Sequence, residues 1–419
     1  MSRTLIAGAI LGAGLVSGGM LIQSGTWRQA DAAAATPRLL EQVMARLSRD
    51  YIDTVSIDEL YRKAASGLVR EIDEPYSVLL TPDRFRRLRE SASGRYAGVG
   101  IEIDMRDGFV TIIAPLAGTP ADRAGIEPGD RIMQVDGKPT HGLTMEEVQQ
   151  VLRGPPGTKV KLGIARAELD TAFTLTRREI VFHPVQRAEI MTGGVGYVEL
   201  ATFSEHAARE VRRAVDSLRR RGATSLILDL RENPGGLLEQ GIAVADLFLD
   251  PNQTIVSIRG RTAEANREFD DDEKQRWPAL PIVALIDSGT ASAAEIVAGA
   301  LQDHDRAVLV GTPTYGKGSA QSLFPVAGGG ALKLTTARWF TPDGRTIERD
   351  STTGGIAPDV TVRRGERKEG GGKTEDARRP PPSSLLSPHS DPVIRRAIQL
   401  LDGIRSPGEL RARVPRRKE

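Results

Sequence analysis

Apolar residues near the start of the chain recur at helical spacing. Leu39, Val43 and Leu47 follow one another at intervals of four residues, which is the spacing of one face of an α-helix. Thr81-Pro82-Asp83 combines a capping hydroxyl with proline at the first helical position, so it predicts a further helix start. The pattern therefore predicts an N-terminal helical region over residues 38–95.

From about residue 96 the apolar positions follow a period of two. Val99, Ile101 and Ile103 alternate with polar residues or glycine, as in a β-strand with one buried face. Thr144, followed three residues later by a glutamate, predicts a capped helix inside the same segment. We expect a compact domain rich in strands over residues 96–166.

The longest part of the chain, residues 167–362, alternates helices with short apolar runs. The runs lie at residues 226–228, 282–286 and 308–310. Uninterrupted apolar runs of this length are typical of strands that are buried on both faces. The order of helices and strands predicts an α/β core.

The basic residues are concentrated at the end of the chain. The whole sequence has 57 Lys and Arg against 55 Asp and Glu, for a net charge of +2, which indicates neither a polyanion-binding nor an acidic disordered protein. Residues 363–419 nevertheless carry a surplus of basic residues. Glycine and proline runs predict a flexible basic linker at residues 363–390, followed by a C-terminal helix and basic tail at residues 391–419.

Composition excludes several kinds of site. The chain contains no cysteine, which rules out disulfides, thiolate metal sites and a cysteine nucleophile. Aromatic residues make up 4% of the sequence, too few to favour stacking on single-stranded nucleic acid. We therefore expect no nucleic-acid partner.

The first 37 residues read as a targeting segment followed by a linker. Arg3 precedes an uncharged apolar stretch at residues 5–22, and a run of four alanines follows at residues 32–35. This order is typical of a secretory signal, although a stretch of this length also suits a membrane anchor. The sequence predicts an extracytoplasmic protein of the periplasm or cell envelope and leaves cleavage of the segment open.

Three segments that each follow a predicted strand carry groups suited to acyl transfer. Residues 229–236 end in two glycines, whose amides can face an oxyanion. Ser292 lies near a helix N-terminus, where the helix dipole favours negative charge. Lys317 and Gln321 point to the same side of an extended segment. Taken singly, these segments also suit a tight turn, a helix cap and a surface or phosphate loop.

A serine nucleophile needs a base, and lysine suits this sequence better than histidine. Lys317 acts as a base only when neutral, which requires its pKa to fall from about 10.4 to near 7, or about 4 kcal/mol of disfavoured charge. His304 follows Ser292 by twelve residues, which on a helix is about 18 Å. A Ser-His-Asp triad is therefore disfavoured.

The three segments together resemble those of the carboxyl-terminal processing peptidases, or tail-specific proteases, of family S41. The stretches that carry the resemblance are Gly-Thr-Ala-Ser-Ala-Ala-Glu-Ile at 289–296, Tyr-Gly-Lys-Gly-Ser-Ala-Gln at 315–321 and Asp-Leu-Arg-Glu-Asn-Pro-Gly-Gly at 229–236. The resemblance implies an α/β protease core of the ClpP/crotonase type, acting without a metal or organic cofactor. It implies the following roles: nucleophile Ser292, general base Lys317, lysine-orienting residue Gln321, and oxyanion-hole amides of Gly235 or Gly236 and of Ala293.

The resemblance also identifies the strand-rich segment as a PDZ domain. Its Gly98-Val99-Gly100-Ile101 loop is similar to the loop whose amides bind a peptide's terminal carboxylate. Val148 and Leu152 are predicted to line the pocket for an apolar terminal side chain. The implied partners are proteins or peptides with apolar C-terminal tails.

Two other functions stay open at the level of sequence. A noncatalytic PDZ adaptor or holdase would bind C-terminal tails without cutting them. A crotonase-like acyl-CoA enzyme would share the core fold and the oxyanion hole, but the export segment and the PDZ domain argue against it. Physiological substrates and self-association of the chain are not indicated by the sequence.

Overall fold

The computed structural model describes residues 32–106, 108–166, 169–349, 354–363 and 391–415. The predicted export segment at residues 5–22, and the predicted linker beyond Arg363, lie outside the described residues. The helices are α1 (Ala32–Asp50), α2 (Ile57–Arg70), α3 (Pro82–Ser93), α4 (Pro120–Arg123), α5 (Met145–Leu152), α6 (Ala207–Arg220), α7 (Leu238–Asp246), α8 (Ala293–Asp303), α9 (Pro392–Leu401) and α10 (Pro407–Ala412). Within the described ranges, no helix is both long enough and apolar enough to span a membrane.

The strands lie in three larger sheets and one two-stranded ladder. They are β1 (Val78–Leu80), β2 (Arg95–Gly98), β3 (Ile101–Arg106), β4 (Phe109–Pro115), β5 (Arg131–Val135), β6 (Lys138–Pro139), β7 (Lys159–Arg166), β8 (Leu169–Thr176), β9 (Arg178–Val181), β10 (Val185–Met191), β11 (Val195–Leu200), β12 (Ser225–Asp229), β13 (Thr254–Gly260), β14 (Arg267–Asp270), β15 (Ile282–Ile286), β16 (Val308–Gly311), β17 (Ser319–Pro325), β18 (Ala331–Phe340) and β19 (Val360–Thr361).

The chain divides into two compact units, Met1–Ile72 and Asp73–Glu419. In the first unit α1 contacts α2, and α2 begins where the Ser56 hydroxyl accepts a hydrogen bond from the amide of Glu59 at 3.2 Å. The apolar face predicted from Leu39, Val43 and Leu47 lies on α1, so the helix prediction is confirmed there.

The second unit begins with a short strand and a helix. Helix α3 starts as predicted, because Thr81 caps it and Pro82 occupies its first turn. Gly94 ends the helix at φ 68°, in the left-handed region. The strand β1 was not predicted from the sequence; it pairs with β18 far along the chain.

The strand-rich segment forms a sheet of order β3-β4-β5-β7-β8, with β6 paired to β5. Ile112, Ile132 and Leu162 are fully buried in its core. Helix α5 opens with the predicted capping box of Thr144. The hairpin of β7 and β8 carries this sheet to Thr176, beyond the predicted boundary at residue 166.

The α/β core is built on a sheet of order β10-β11-β12-β15-β16-β19. In this sheet the parallel strands are β11, β12, β15, β16 and β19, whereas β10 is antiparallel to β11. Strand β12 is buried on both faces: Leu226 and Leu228 belong to the cluster with α6, α7 and α8, whereas Ile227 belongs to the cluster with α9 and α10. The double burial explains the uninterrupted apolar runs of these strands.

The third larger sheet is antiparallel and carries the segment that follows Lys317. Its order is β1-β18-β13-β14, with β17 also paired to β18. The indole nitrogen of Trp339 on β18 donates a hydrogen bond to the carbonyl of Lys317 at 3.0 Å. The sheet therefore fixes the backbone just before β17.

The C-terminal segment is part of the core. Asp391, the N-cap of α9, accepts a hydrogen bond from the Arg231 guanidinium at 2.7 Å. Arg231 also pairs with Asp229, and all three side chains are buried. Burial acts to lower the pKa of Arg231, but the two carboxylates hold it above the ordinary value.

Candidate active site

Ser292 lies where the central sheet turns into α8. It follows β15 and is the N-cap residue of α8, with φ 55° and ψ −120°. This conformation is strained for a residue with a side chain, and such strain is common at functional turns. The Glu295 amide donates a hydrogen bond to the Ser292 carbonyl at 2.8 Å. A serine hydroxyl thus lies at the N-terminus of a helix, where the helix dipole favours negative charge.

Glu295 joins the turn at Ser292 to the segment that carries Lys317. Its Oε2 atom accepts hydrogen bonds from the backbone amides of Ser292 at 2.8 Å and of Lys317 at 2.9 Å. Its Oε1 atom accepts from the Thr314 hydroxyl at 2.5 Å and the Gly316 amide at 2.7 Å. Glu295 has no exposed surface. The carboxylate therefore brings together the backbones of the predicted nucleophile and the predicted base.

The amine of Lys317 lies in a partly buried site against an aromatic ring. Its Nζ atom is 4.9 Å from the centroid of the Tyr76 ring. Burial, followed by the positive charge of Lys333, lowers the pKa of Lys317, while nearby carboxylates such as Glu74 oppose this shift. A lowered pKa increases the neutral fraction that a lysine base requires.

Ser292 and Lys317 are connected through their backbone amides, which both donate to the Glu295 carboxylate. Among the hydrogen bonds of the described residues, none links the Ser292 hydroxyl to the Lys317 amine. Such contacts are often loose in the absence of substrate. The segment of Lys317 is also attached to the loop before Ser292, because the Tyr315 amide donates to the Thr290 carbonyl at 2.9 Å.

Gln321 binds a polar network beside the lysine segment. Its Nε2 atom donates to the Ser319 hydroxyl at 3.0 Å and to the Thr335 hydroxyl at 3.2 Å. The Thr335 hydroxyl donates in turn to Glu74 at 2.8 Å. The structure includes no hydrogen bond from Gln321 to Lys317 among the described contacts. Gln321 therefore positions β17 against β18 in this state.

The two candidate glycine amides of the oxyanion hole differ in their availability. The Gly235 amide donates to the Asn233 side chain at 2.9 Å, so it is already used. No hydrogen bond of the described residues uses the amide of Gly236 or of Ala293 as donor. This pattern favours Gly236 with Ala293 as the oxyanion donors over Gly235.

Gly235 has a steric role beside Ser292, the predicted nucleophile. Its φ is 90°, and an added Cβ would lie 2.6 Å from the Ala291 carbonyl oxygen and 2.9 Å from the Ser292 Cβ. The Asn233 side chain donates to the Leu200 carbonyl at 2.6 Å and is fully buried. The loop is therefore held tightly against the turn at Ser292.

The predicted carboxylate loop lines a cavity of about 620 Å³. Gly98, Val99, Gly100 and Ile101 all contribute to its wall. The amides of Val99 and Gly100 donate no hydrogen bond within the described part of the chain. Ile101 starts β3, an edge strand of its sheet in the described topology, which leaves a side open for pairing with an extended peptide.

The two predicted pocket residues on α5, Val148 and Leu152, are both buried in the core of this domain. Leu152 also lines the cavity, whereas Val148 is not among its lining residues. Arg187 and Glu199 of the α/β core also line the cavity, so both the strand-rich segment and the α/β core contribute to it.

Two family profiles match this chain. Residues 194–362 match Peptidase family S41, and residues 111–166 match a PDZ domain. The carboxy-terminal processing protease CtpA of Bacillus subtilis is 35% identical over 321 residues, which cover 77% of this chain and 68% of the relative. The carboxyl-terminal-processing protease of Synechocystis is 41% identical over 306 residues, which cover 71% of this chain and 70% of the relative. The chain belongs to the carboxy-terminal processing proteases of peptidase family S41.

The fold of this S41 peptidase also has a counterpart among solved structures. A Bacteroides fragilis chain assigned to the S41 proteases aligns with a TM-score of 0.52 at 19% identity, covering 81% of this chain and 92% of that one. The predicted family, the α/β protease core with a PDZ domain, and the serine-type peptidase class are therefore confirmed.

Sequence reasoning about this S41 peptidase missed the residues that hold its site together. Glu295 and Asn233 both lie within the motifs described above, but the sequence alone assigns neither of them a role. Glu295 follows a helix N-cap by three residues, which is the capping-box position, so its contact with the Ser292 amide had a sequence signal. Its contact with Lys317 had none, because it depends on the tertiary fold.

Proposed function

We propose that this S41 peptidase is an exported endopeptidase that binds the C-terminal tail of a protein through its PDZ domain and cuts it with Ser292 and Lys317. The main support is the buried carboxylate of Glu295, which accepts hydrogen bonds from the backbone amides of both residues. A shared buried acceptor keeps the two segments in register, as a nucleophile and its base require.

Acylation begins with the Ser292 hydroxyl. Its oxygen forms a bond to the carbonyl carbon of the scissile peptide while neutral Lys317 takes the hydroxyl proton. The ammonium then gives this proton to the leaving amine as the carbon–nitrogen bond breaks. The product of this half-reaction is an acyl-enzyme on Ser292.

Hydrolysis repeats the proton transfers with water. Lys317 takes a proton from the attacking water, and the tetrahedral intermediate collapses as the ester bond breaks. The proton returns to the Ser292 oxygen. In both half-reactions the amides of Gly236 and Ala293 donate to the oxyanion. Neither amide donates a hydrogen bond to another acceptor among the described residues, so both are available.

Tail recognition is assigned to the cavity at Gly98-Val99-Gly100-Ile101. The unused amides of Val99 and Gly100 suit a terminal carboxylate, and β3 offers an edge for the extended tail. Leu152 provides an apolar wall for the last side chain. A tail held here lies in a cavity that the α/β core also borders.

A serine-reactive fluorophosphonate probe tests the catalytic proposal. We expect intact-mass and peptide analysis to find the adduct on Ser292, and Ser292→Ala to remain unlabelled. Ser288→Ala is the matched control, because Ser288 is exposed on the same loop and its loss should leave labelling unchanged. Binding of free tails without labelling or cleavage would favour the adaptor function instead.

Export is tested by cell fractionation. The uncharged stretch at residues 5–22 supports transfer of the remaining chain across the cytoplasmic membrane, with the segment either cleaved or kept as an anchor. External protease should digest the protein only after the outer layers are opened. Recovery in the cytosol with an intact N-terminus would contradict export while leaving the catalytic proposal untouched.

A further inference from the structure

The amine of Lys317 is not held by a hydrogen bond. Within the described residues, its Nζ atom takes part in neither a hydrogen bond nor an ion pair. The side chain is half-buried, and its flexible four-carbon stem allows the amine many positions. Gln321, the residue predicted to orient it, donates to Ser319 and Thr335 instead. A base that has to meet one hydroxyl therefore needs another group to hold it.

The Tyr76 ring is the group that covers this amine. The Nζ atom of Lys317 lies 4.9 Å from the ring centroid, within the distance of about 6 Å at which an aromatic face attracts an ammonium. Burial, followed by the hydrogen bond to Tyr315, raises the pKa of Tyr76, so the ring is a neutral phenol near neutral pH. The contact is therefore one between an amine and a ring face, and not an ion pair.

The segment that carries Tyr76 is fixed to the antiparallel sheet. The Tyr76 amide donates a hydrogen bond to Glu74 Oε1 at 3.2 Å, and Glu74 Oε2 accepts from the Thr335 hydroxyl at 2.8 Å. The Thr335 amide donates to the Ser77 hydroxyl at 3.0 Å. Gln321 donates to the same Thr335 hydroxyl. The glutamine predicted to orient the lysine thus supports the segment of Tyr76.

We propose that Tyr76 is the residue that positions the Lys317 amine for proton transfer. This inference rests on the proposed role of Lys317 as the base. When Lys317 takes the proton of the Ser292 hydroxyl, its amine becomes an ammonium, which an aromatic face attracts electrostatically. The contact therefore strengthens as the proton moves, and an interaction that is stronger in the transition state than in the ground state accelerates the step.

The charged groups near Lys317 belong to several elements. Lys333 on β18 acts to lower the pKa of Lys317, and the carboxylates that act to raise it are Glu295, Glu74 and Glu348. Burial has the largest effect and lowers this pKa. Replacing Tyr76 by another uncharged side chain alters none of these charges. A change in the pKa of Lys317 in such a variant therefore reports on the ring.

Competitive acetylation of the full-length chain measures the pKa of Lys317 without requiring cleavage. Modification of Lys317 by acetic anhydride is followed against pH by peptide mass spectrometry, with the exposed Lys274 as internal standard. Tyr76→Leu keeps an apolar side chain over the amine but removes the ring, so the ammonium loses a favourable contact. We expect the pKa of Lys317 to fall by about 0.5–1 pH unit. The maximal kcat/KM should fall by about tenfold.

Tyr76→Phe is the conservative variant. It keeps the ring face and loses only the hydroxyl that meets Tyr315, so the pKa of Lys317 should stay at the value of the unaltered chain. The hydrogen bond to Glu74 uses the backbone amide of residue 76 and is available in both variants. Tyr61→Leu replaces an exposed tyrosine on α2 and should change neither this pKa nor kcat/KM.

The proposal fails if Tyr76→Leu leaves the pKa of Lys317 unchanged. It also fails if this pKa rises, because a rise would show that the Tyr76 side chain only excludes water. An equal fall in Tyr76→Phe would assign the effect to the hydroxyl and refute the role of the ring. The base proposal is tested separately: full activity of Lys317→Ala would contradict it and leave the measured effect of Tyr76 on Lys317 standing.

Discussion

The carboxylate of Glu295 accepts a hydrogen bond from the amide of Lys317 at 2.9 Å, although the two residues lie on different structural elements. The same Oε2 atom also accepts from the amide of Ser292. The proposed nucleophile and the proposed base are thus held by one acceptor on α8. Displacement of either segment would break a hydrogen bond to a buried charged group, which contributes about 1.5–3 kcal/mol.

Replacing Glu295 should therefore impair catalysis without removing either of the proposed catalytic side chains. In Glu295→Gln one carboxylate oxygen becomes the NH2 of a side-chain amide, which cannot accept hydrogen bonds from the backbone amides that it would face. We expect kcat/KM to fall by about 100-fold, as for a small misplacement of reacting groups. Glu239→Gln, at an exposed position on α7, should retain normal activity. A Glu295→Gln enzyme with unchanged kcat/KM would exclude the positioning role.

The pH dependence of cleavage should report the protonation of Lys317. Because the neutral amine is the proposed base, kcat/KM should rise as pH increases through the pKa of Lys317, which burial places below its ordinary value. The charge of Lys333 also lowers this pKa. Lys333→Gln should therefore shift the rising limb to higher pH, measured with an uncharged substrate.

The control for this shift is Lys274→Gln, which neutralises an exposed lysine elsewhere on the core. This substitution should leave the pH dependence of kcat/KM unchanged. A rising limb that persists unchanged in Lys317→Ala would show that another group is the base.

Tail selectivity should depend on the backbone at Gly100. Its φ is 76°, and an added Cβ would lie 2.3 Å from the Thr119 Cβ. Gly100→Ala should disturb the loop and raise KM for peptides with a free C-terminal carboxylate. Peptides with an amidated C-terminus, which cannot use the carboxylate site, should be cut at a rate that the substitution does not change.

Gly108→Ala is the matched variant for this comparison. Gly108 has the same φ of 76° but open space around an added Cβ, so it reproduces the backbone strain without the clash. It should keep the preference for free tails. Equal cleavage of free and amidated peptides by the unaltered enzyme would refute tail recognition and leave the peptidase mechanism standing.

Stability should depend on the ion pair between Arg231 and Asp391. Asp391→Asn keeps a side-chain oxygen for capping α9 but leaves the buried Arg231 with one fewer anionic partner. Because Arg231 stays paired with Asp229, we expect a cost of about 1.5–3 kcal/mol, the contribution of one hydrogen bond to a charged group. We expect urea denaturation to show a loss of this size in the free energy of unfolding. Asp402→Asn, at the exposed end of α9, should cost little, and an equal loss in both variants would contradict the assignment.

Elements with strong local signals were predictable from the sequence. Thr81 and Thr144 cap helices as their side chains suggest, and the apolar run at residues 282–286 forms a fully buried strand. The positions of Ser292 and Lys317 after buried strands followed from the same reasoning. These features depend on residues close together in the chain, so the local sequence pattern is enough to predict them.

Features that depend on distant partners were not predictable. The strand Val78–Leu80 forms because β18 offers it an edge. Val148 packs in the core of its domain and is not among the residues that line the cavity, and periodicity alone does not show which apolar positions face a groove. The amide of Gly235 is unavailable because the Asn233 side chain reaches it. In each case the decisive contact is tertiary or depends on a side-chain orientation that spacing does not report.

The strained backbone at Ser292 implies that the residue needed for the proposed activity lowers the stability of the fold. A serine at φ 55° and ψ −120° is less favourable by about 1–3 kcal/mol than a residue in a common conformation. Glycine would adopt the same turn more readily. If Ser292 is the nucleophile proposed above, substitution to glycine at this position would thus produce a more stable but inactive protein. Retention of a side chain here is expected only in lineages where selection acts on bond cleavage, and a descendant that serves purely as a tail-binding protein should drift towards glycine.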